Sequence, residues 1–97
     1  MACHVILELK IKSELLRKSR EWLAETLPRA REFPGCVDIS ILESTDHVGE
    51  ILVHQHWTSR QHYEEFREWY ARTQIFAPIH SMLEMQPECR FFDYFGT

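Results

Sequence analysis

Glycine is scarce in this chain of 97 residues, which contains three glycines and no glycine-rich motif. Phosphate-binding loops need several glycines around a strand-to-helix turn, so nucleotide chemistry of that kind is excluded. A nucleophile elbow and paired catalytic carboxylates are missing as well. Cysteine is equally scarce, with three residues far apart and no C-x-x-C pair. We therefore expect reduced thiols in a cytoplasmic protein rather than a disulfide framework.

The chain also lacks an excess of positive charge and a long apolar run. Eleven Lys and Arg stand against fifteen Asp and Glu, which gives a formal charge of −4. No basic stripe is therefore available to neutralise the phosphates of a nucleic acid. No stretch approaches the roughly 20 apolar residues of a membrane span, and Glu8 and Lys10 interrupt the apolar start too early for a signal peptide. We expect neither nucleic acid nor a membrane among the partners.

Stretches of period-two alternation and stretches of helical spacing follow one another along the chain. Ser13 is placed to cap the first helix, and Pro34 and Gly35 to end it. A second helix opens at Ser59, and Pro78 starts a short further helix. The predicted elements are a strand over 4–11, a helix from 13 to about 31, strands over 36–43 and 49–57, a helical region from 59, and a strand over 89–95. This order, βαββαβ, predicts one α+β domain over 1–97, ferredoxin-like, with an antiparallel sheet.

One face of the predicted sheet has no helix to cover it. On strand one Val5, Leu7 and Leu9 form the face toward the helices. The opposite face carries apolar residues too, namely Ile6, Leu42 and Leu52. Strand four is apolar on both faces, whereas the outer face of an antiparallel sheet is commonly polar. We therefore expect a homodimer in which a second copy covers this face.

His54 and His56 project from the same face of strand three because their spacing is two residues. Such a pair has the geometry to share a metal ion, with Glu8 or Asp38 on the same face as a third ligand. The simpler interpretation is a polar patch at the dimer contact, hydrogen-bonded to its neighbours. We expect the second, with no essential metal.

An aromatic set surrounds the second helix, and its members are Trp57, Tyr63, Phe66, Trp69, Tyr70 and Phe76. Ordinary packing of the helix on the sheet accounts for such a set. The alternative is a flat apolar cavity for a planar aromatic ligand. His80 lies at the margin of the apolar stripe that Ile79 continues, where it is either a half-exposed helix residue or an acid–base group beside that cavity.

The chain resembles the antibiotic biosynthesis monooxygenase domain, a dimeric α+β barrel. The resemblance lies in the sequence EFPGC, which ends the first helix at 32–36, and in GEILVHQHW over 49–57 followed by TSRQHY over 58–63. In this family a strand that ends in Trp runs into a helix whose first turns contain an aromatic residue and often a His. The match extends over nearly the whole chain.

The resemblance implies oxygenation of a small phenolic, quinol or polyketide-like compound by dioxygen, without metal or flavin. Other members degrade haem with an Asn on strand one, and residues 5–9 contain no Asn. On this basis Trp57 and Phe66 help to form the pocket, while Trp69, Tyr70 and Phe76 contact the planar ligand. His80, with less support His62, removes a proton from a substrate hydroxyl. Two alternatives stay open: a non-catalytic dimer that binds a small hydrophobic metabolite, and an isomerase of the same barrel superfamily.

Overall fold

The computed structural model describes residues 2–96; Met1 and Thr97, which belong to the domain predicted over 1–97, lie outside the described residues. The described part contains strands and helices in the predicted order βαββαβ. A 3₁₀ turn, Ser13–Leu15, precedes the first helix, and a second 3₁₀ helix, Ala77–Met82, precedes the last strand. The other elements are β1 (Cys3–Lys10), α1 (Leu16–Arg31), β2 (Cys36–Glu43), β3 (Glu50–Trp57), α2 (Arg60–Thr73) and β4 (Glu88–Phe92).

The strands form an antiparallel sheet in the order β2-β3-β1-β4. The first strand of the chain is therefore central and pairs with both β3 and β4, while β2 and β4 are the edges. This confirms the predicted ferredoxin-like α+β fold. The register sets Val5 opposite Gln55 on β3 and opposite Phe91 on β4.

The core lies between the sheet and the two helices. Val5 and Trp57 are fully enclosed, each with 0% exposure. Burial of one large apolar side chain contributes about 1.5–3 kcal/mol to the free energy of unfolding. The remaining buried members come mainly from β1, β2, β3 and both helices, among them Leu9, Ile39, Val53, Leu27, Ala30, Tyr63 and Phe66, while Phe91 of β4 is half-buried and packs against them.

The first helix begins differently from the sequence prediction. Ser13 starts a 3₁₀ turn, and the α-helix proper begins at Leu16. No side chain caps this start, and the Ser13 hydroxyl instead donates to Oε2 of Glu14 at 3.3 Å. The prediction that Ser13 caps the helix is wrong, because the tight turn separates Ser13 from the amides of the helix.

Two strand details also differ from the prediction. Cys36 pairs with Trp57 and Asp38 with His56, so the intervening Val37 has no partner and is 54% exposed, whereas alternation along the predicted strand over 36–43 would set it on the same face as the buried Ile39. This β-bulge interrupts the alternation of inward and outward side chains at Val37. The last strand ends at Phe92, three residues before the predicted end at 95.

The sheet face turned away from the helices is open in this structure. Ile6 and Leu52 are half-buried there, while Leu42 and Phe92 are 58% and 49% exposed. Within 2–96, no helix is both long enough and apolar enough to cross a membrane.

Candidate functional site

A layer of aromatic rings fills the space between the sheet and the helices. Trp57 at the end of β3 and Phe66 in α2 are buried, and their ring centroids are 4.8 Å apart. Phe66 also contacts Trp69 at 6.0 Å and Tyr70 at 5.2 Å between centroids. Phe76 lies 5.9 Å from Phe66. The structure thus brings together the five residues predicted either to form the pocket or to contact the ligand, with Phe66 at their centre.

The outer members of this layer reach the surface. Trp69, Tyr70 and Phe76 are half-buried. Helix α2 ends where Gln74 takes a left-handed conformation, with φ of 57°. The chain then turns back, so that Phe76 packs on Tyr70 at 5.4 Å and on Trp22 of α1 at 6.1 Å, both edge to face. Phe76 therefore lies at the rim between the two helices, held by ring contacts on both sides.

The sequence analysis did not include Gln55 in this site, although Gln55 supplies a polar atom to the aromatic layer. Its Oε1 accepts a hydrogen bond from Nε1 of Trp57 at 3.0 Å, and the residue is 6% exposed. The signal in the sequence was a polar residue at a position of β3 whose side chain points toward the helices. Because a buried indole N–H needs an acceptor, Gln55 fixes the orientation of Trp57.

Tyr63 offers a second polar atom beneath the layer. Its hydroxyl lies 3.9 Å from Sγ of Cys89 on β4. Burial raises the pKa of Tyr63 far above its usual range, and the nearby Tyr70 and Cys89 raise this pKa further. The hydroxyl therefore stays protonated at neutral pH, so Tyr63 can orient a ligand but cannot act as a base there.

His62 lies in the first turn of α2, outside the aromatic layer. Its Nδ1 contacts Oγ of Ser59 at 2.8 Å and Oγ1 of Thr58 at 3.1 Å. The His62 backbone N–H donates to Oγ of Ser59 at 3.2 Å, which makes Ser59, where the sequence predicted the start of this helix, its N-cap. These contacts hold the imidazole against the helix start through its Nδ1 atom.

His80 is exposed and lies in the 3₁₀ helix Ala77–Met82. It borders an open depression of about 440 Å³ whose other lining residues are Leu83, Glu84, Met85, Gln86 and Pro87. No member of the aromatic layer lines this depression. The structure therefore does not bring the predicted base and the predicted ligand-contacting rings into one pocket.

The outer sheet face carries a group of three histidines, His4, His54 and His56, of which the sequence analysis singled out only the last two. Nδ1 of His4 and Nε2 of His54 are 2.9 Å apart. The rings of His4 and His56 stack with centroids 4.2 Å apart. Because Val5 faces the helices, alternation along β1 sets His4 on this outer face, while its contacts depend on the register between β1 and β3.

Metal binding at these histidines was not expected from the sequence, and that expectation stays a prediction. Within residues 2–96 no group of three His, Cys, Asp or Glu side chains has the arrangement to hold a metal ion. Stacking turns the His4 and His56 rings face to face, so their nitrogen lone pairs do not converge on one point.

At the opposite end of the outer face is an open depression of about 530 Å³. Leu42, Leu52 and Met85 contribute its apolar wall, and it also contains Lys10. Four carboxylates line it, those of Glu8, Glu43, Glu50 and Glu88. This end of the face is therefore acidic, in contrast to the histidine end.

A family model described as antibiotic biosynthesis monooxygenase matches residues 2–77. A search of the curated proteins found no match. Among solved structures, the fold is similar to that of a protein from Methanosarcina mazei, with a TM-score of 0.87 and 13% identity, covering 95% of this chain and 91% of that chain. It is also similar to Rv0793 from Mycobacterium tuberculosis, with a TM-score of 0.83 and 19% identity, covering 97% and 95%.

A third similar structure is that of a variant of SnoaB from Streptomyces nogalater, which its description calls a cofactor-independent oxygenase. The TM-score is 0.85 at 12% identity, and the match covers 99% of this chain and 95% of that chain. At these identities the likeness to solved structures concerns the fold.

Proposed function

We propose, from the premise that this chain belongs to the antibiotic biosynthesis monooxygenase family, that it is a cofactor-independent monooxygenase for a small phenolic or quinol-like compound. The observation that carries the proposal is the aromatic layer around Phe66, whose outer rings Trp69, Tyr70 and Phe76 are half-buried. A planar ligand replaces ring–ring contacts with equivalent stacking when it enters such a layer.

Phe76 is the ring whose displacement would admit a ligand. It follows the left-handed residue Gln74 and lies beyond the last hydrogen-bonded turn of α2. Its contacts with Trp22 and Tyr70 are edge-to-face contacts between side chains, each worth about 0.5–1.5 kcal/mol. A bound aromatic compound can offset such contacts.

The chemistry needs one proton transfer and dioxygen. Removal of a proton from the phenol gives an electron-rich phenolate, which transfers an electron to dioxygen, and the two radicals combine at the para carbon. The hydroperoxide then loses water to leave a carbonyl. In sum, a phenol and dioxygen give a quinone and water, so the substrate supplies all four electrons. Fixed dipoles in a site shielded from water favour the anion that starts this sequence.

His80 is the proposed base, with His62 as the second candidate. His80 belongs to the short helix that begins directly after Phe76. Movement of this segment on ligand entry would displace His80 together with Phe76. A neutral imidazole has a pKa suited to proton transfer near neutral pH without special tuning.

We further propose a homodimer through the outer sheet face and a location in the cytoplasm. The exposed Leu42 and Phe92 on this face support the dimer. The three free cysteines, of which Cys89 is exposed, support a reducing compartment.

A second candidate function is binding of a hydrophobic metabolite without turnover. The exposure of His80, and its position outside the aromatic layer, favour this candidate. Both functions use the same rings, so they differ only in the presence of a working base.

Oxygen uptake distinguishes the two functions. Protein treated with a metal chelator is incubated with a panel of phenols and hydroquinones under isotopically labelled dioxygen. A monooxygenase consumes dioxygen and places one labelled atom in the product and the other in water. Replacement His80→Ala should lower turnover by about 100-fold or more, whereas His47→Ala, in the exposed hairpin loop, should leave it unchanged. Saturable quenching of tryptophan fluorescence without oxygen uptake would instead support the binding protein.

A further inference from the structure

Three histidines from two strands meet at one end of the outer sheet face, and none of them has a role in the proposed reaction. The register places His4 of β1 opposite His56 of β3, and Ile6 opposite His54. His4 is therefore hydrogen-bonded through Nδ1 to Nε2 of His54 at 2.9 Å and stacked on His56 at 4.2 Å. Tyr94, which follows β4, packs edge-on against His4 at 4.8 Å.

This arrangement suits neutral imidazoles. A hydrogen bond between two imidazole nitrogens requires one N–H and one lone pair, so the two rings cannot both be charged. Nε2 of His4 is buried and has no hydrogen-bond partner among the described residues. Protonation of His4 would therefore enclose a charged N–H without an acceptor, beside the stacked ring of His56.

The charged groups around His4 would only partly stabilise a protonated His4 imidazole. Across the sheet, Asp38 of β2 lies opposite His56 but accepts a hydrogen bond from Ser40 at 2.8 Å. From β4, the guanidinium of Arg90 is paired with Glu8 at 2.8 Å. Burial lowers the pKa of His4, His56 and His54 lower it further, and only Asp93 raises it.

The group adjoins the apolar part of the face that a second copy would cover. Phe92 lies directly opposite His4 on β4 and is 49% exposed, and Tyr94 is 60% exposed. Three strands of about 26 Å and the shorter β4 of about 17 Å, side by side at about 4.8 Å, give a flat area of about 460 Å². Side chains that stand out from the sheet, together with the exposed residues after β4, enlarge the contact area toward the ~800 Å² that each partner buries in a stable interface. A second copy is thus an occupant of the right size.

We propose that acid weakens the contact between two copies of this chain through the histidine group His4, His54 and His56. The inference rests on the proposed dimer. A second copy removes the remaining water from the group, which penalises the charged form further, so association releases protons. The dimer is therefore fully stable above the pKa of His4 in the monomer, which already lies below the ordinary value of about 6.5, and it weakens as the pH falls through that monomer pKa.

The test measures the dissociation constant of the full chain by sedimentation at about pH 7.5 and about pH 5.0, the range in which histidine titrates. If each protomer takes up one proton, the dissociation constant rises by up to about 100-fold for each pH unit below the pKa of His4 in the monomer, and we expect at least about tenfold over this range. His4→Phe keeps an aromatic ring without a titrating group and should flatten the pH dependence. His54→Gln serves as a second variant, and His47→Gln, in the hairpin loop, as the control. Far-UV circular dichroism at both pH values shows whether the chain stays folded.

Each outcome is decisive. A dimer whose dissociation constant rises in acid, with the rise reduced in both His4→Phe and His54→Gln and retained in His47→Gln, supports the inference. A dimer of equal strength at both pH values overturns the inference and leaves the proposed dimer intact. The inference is also overturned, with the dimer intact, if the rise of the dissociation constant persists unchanged in both variants, because groups other than these histidines then cause the rise. A monomer at neutral pH overturns the proposed dimer itself.

Discussion

Gly35 sets how closely α2 can approach the end of the first helix. Its φ is 89°, a left-handed conformation that side chains disfavour, and its carbonyl accepts the N–H of Thr58 at 2.9 Å. A Cβ at this position would overlap the imidazole of His62. The glycine is therefore required both for the turn and for the placement of one of the proposed bases.

Replacement Gly35→Ala should lower the free energy of unfolding by about 2–3 kcal/mol, since it combines a disfavoured φ with a steric overlap. Gly96 is the matched control, because its φ is also positive, at 79°, but nothing lies within 4 Å of the added Cβ. Urea unfolding of the two variants separates the free-energy cost of the steric overlap from the cost of the positive φ. Equal losses in both would mean that the contact with His62 contributes nothing.

At single residues, the sequence predicted which face a side chain occupies but not what it contacts. Alternation placed His4 on the outer face, and the structure agrees. The contact with His54 and His56 depends on how β1 aligns with β3, and a shift of the register would separate these rings. Gln55 is a similar case: alternation sets it on the same face of β3 as Trp57, but the hydrogen bond between them depends on the rotamers of both side chains.

At the scale of elements, the two helices begin in different ways. Ser59 is extended, with φ −157° and ψ 163°, and its hydroxyl accepts the N–H of His62. Ser13 stands before the first helix in the same sequence role, but it lies inside a 3₁₀ turn and caps nothing. A serine before an apolar helical stripe thus predicts a helix start, while the cap itself depends on the backbone that leads into it.

Ser59→Ala should lower the free energy of unfolding by about 1 kcal/mol, because an amide at the start of α2 loses its acceptor. Ser13→Ala is the matched control and should change it by only a few tenths of a kcal/mol. Thermal and urea unfolding, compared at one pH, give both values. An equal effect of the two replacements would contradict the capping role of Ser59.

At the scale of the whole molecule, the order of elements predicted the fold because few topologies accommodate βαββαβ in one sheet. The pocket was less predictable. The sequence identified the rings around Phe66. Whether these rings enclose a cavity or fill the space completely depends on how closely the side chains pack, which the residue pattern does not reveal. Likewise the bulge at Val37 and the early end of β4 have no marker in the residue pattern.

Light scattering at micromolar concentration should give twice the 11.7 kDa chain mass. Leu42→Glu places a charge on the exposed outer face and should raise the dissociation constant by about tenfold or more, the equivalent of about 1.4 kcal/mol. Val48→Glu is the matched control, since Val48 is 77% exposed in the hairpin loop and off this face. A monomeric parent protein, or equal effects of both replacements, would argue against the proposed interface.

The central position of β1 has a consequence for synthesis of the chain. Val5 of β1 pairs with Phe91 of β4, so one edge of the first strand gains its hydrogen-bonding partner only when the last strand is in place. Contacts between such distant segments form late, because the intervening chain must first be ordered. While the protein is being made, the apolar β1 therefore keeps an open hydrogen-bonding edge after the β2–β3 hairpin has docked. In that interval β1 can pair with strands of other nascent chains, and chaperone binding would be most useful until β4 closes the edge.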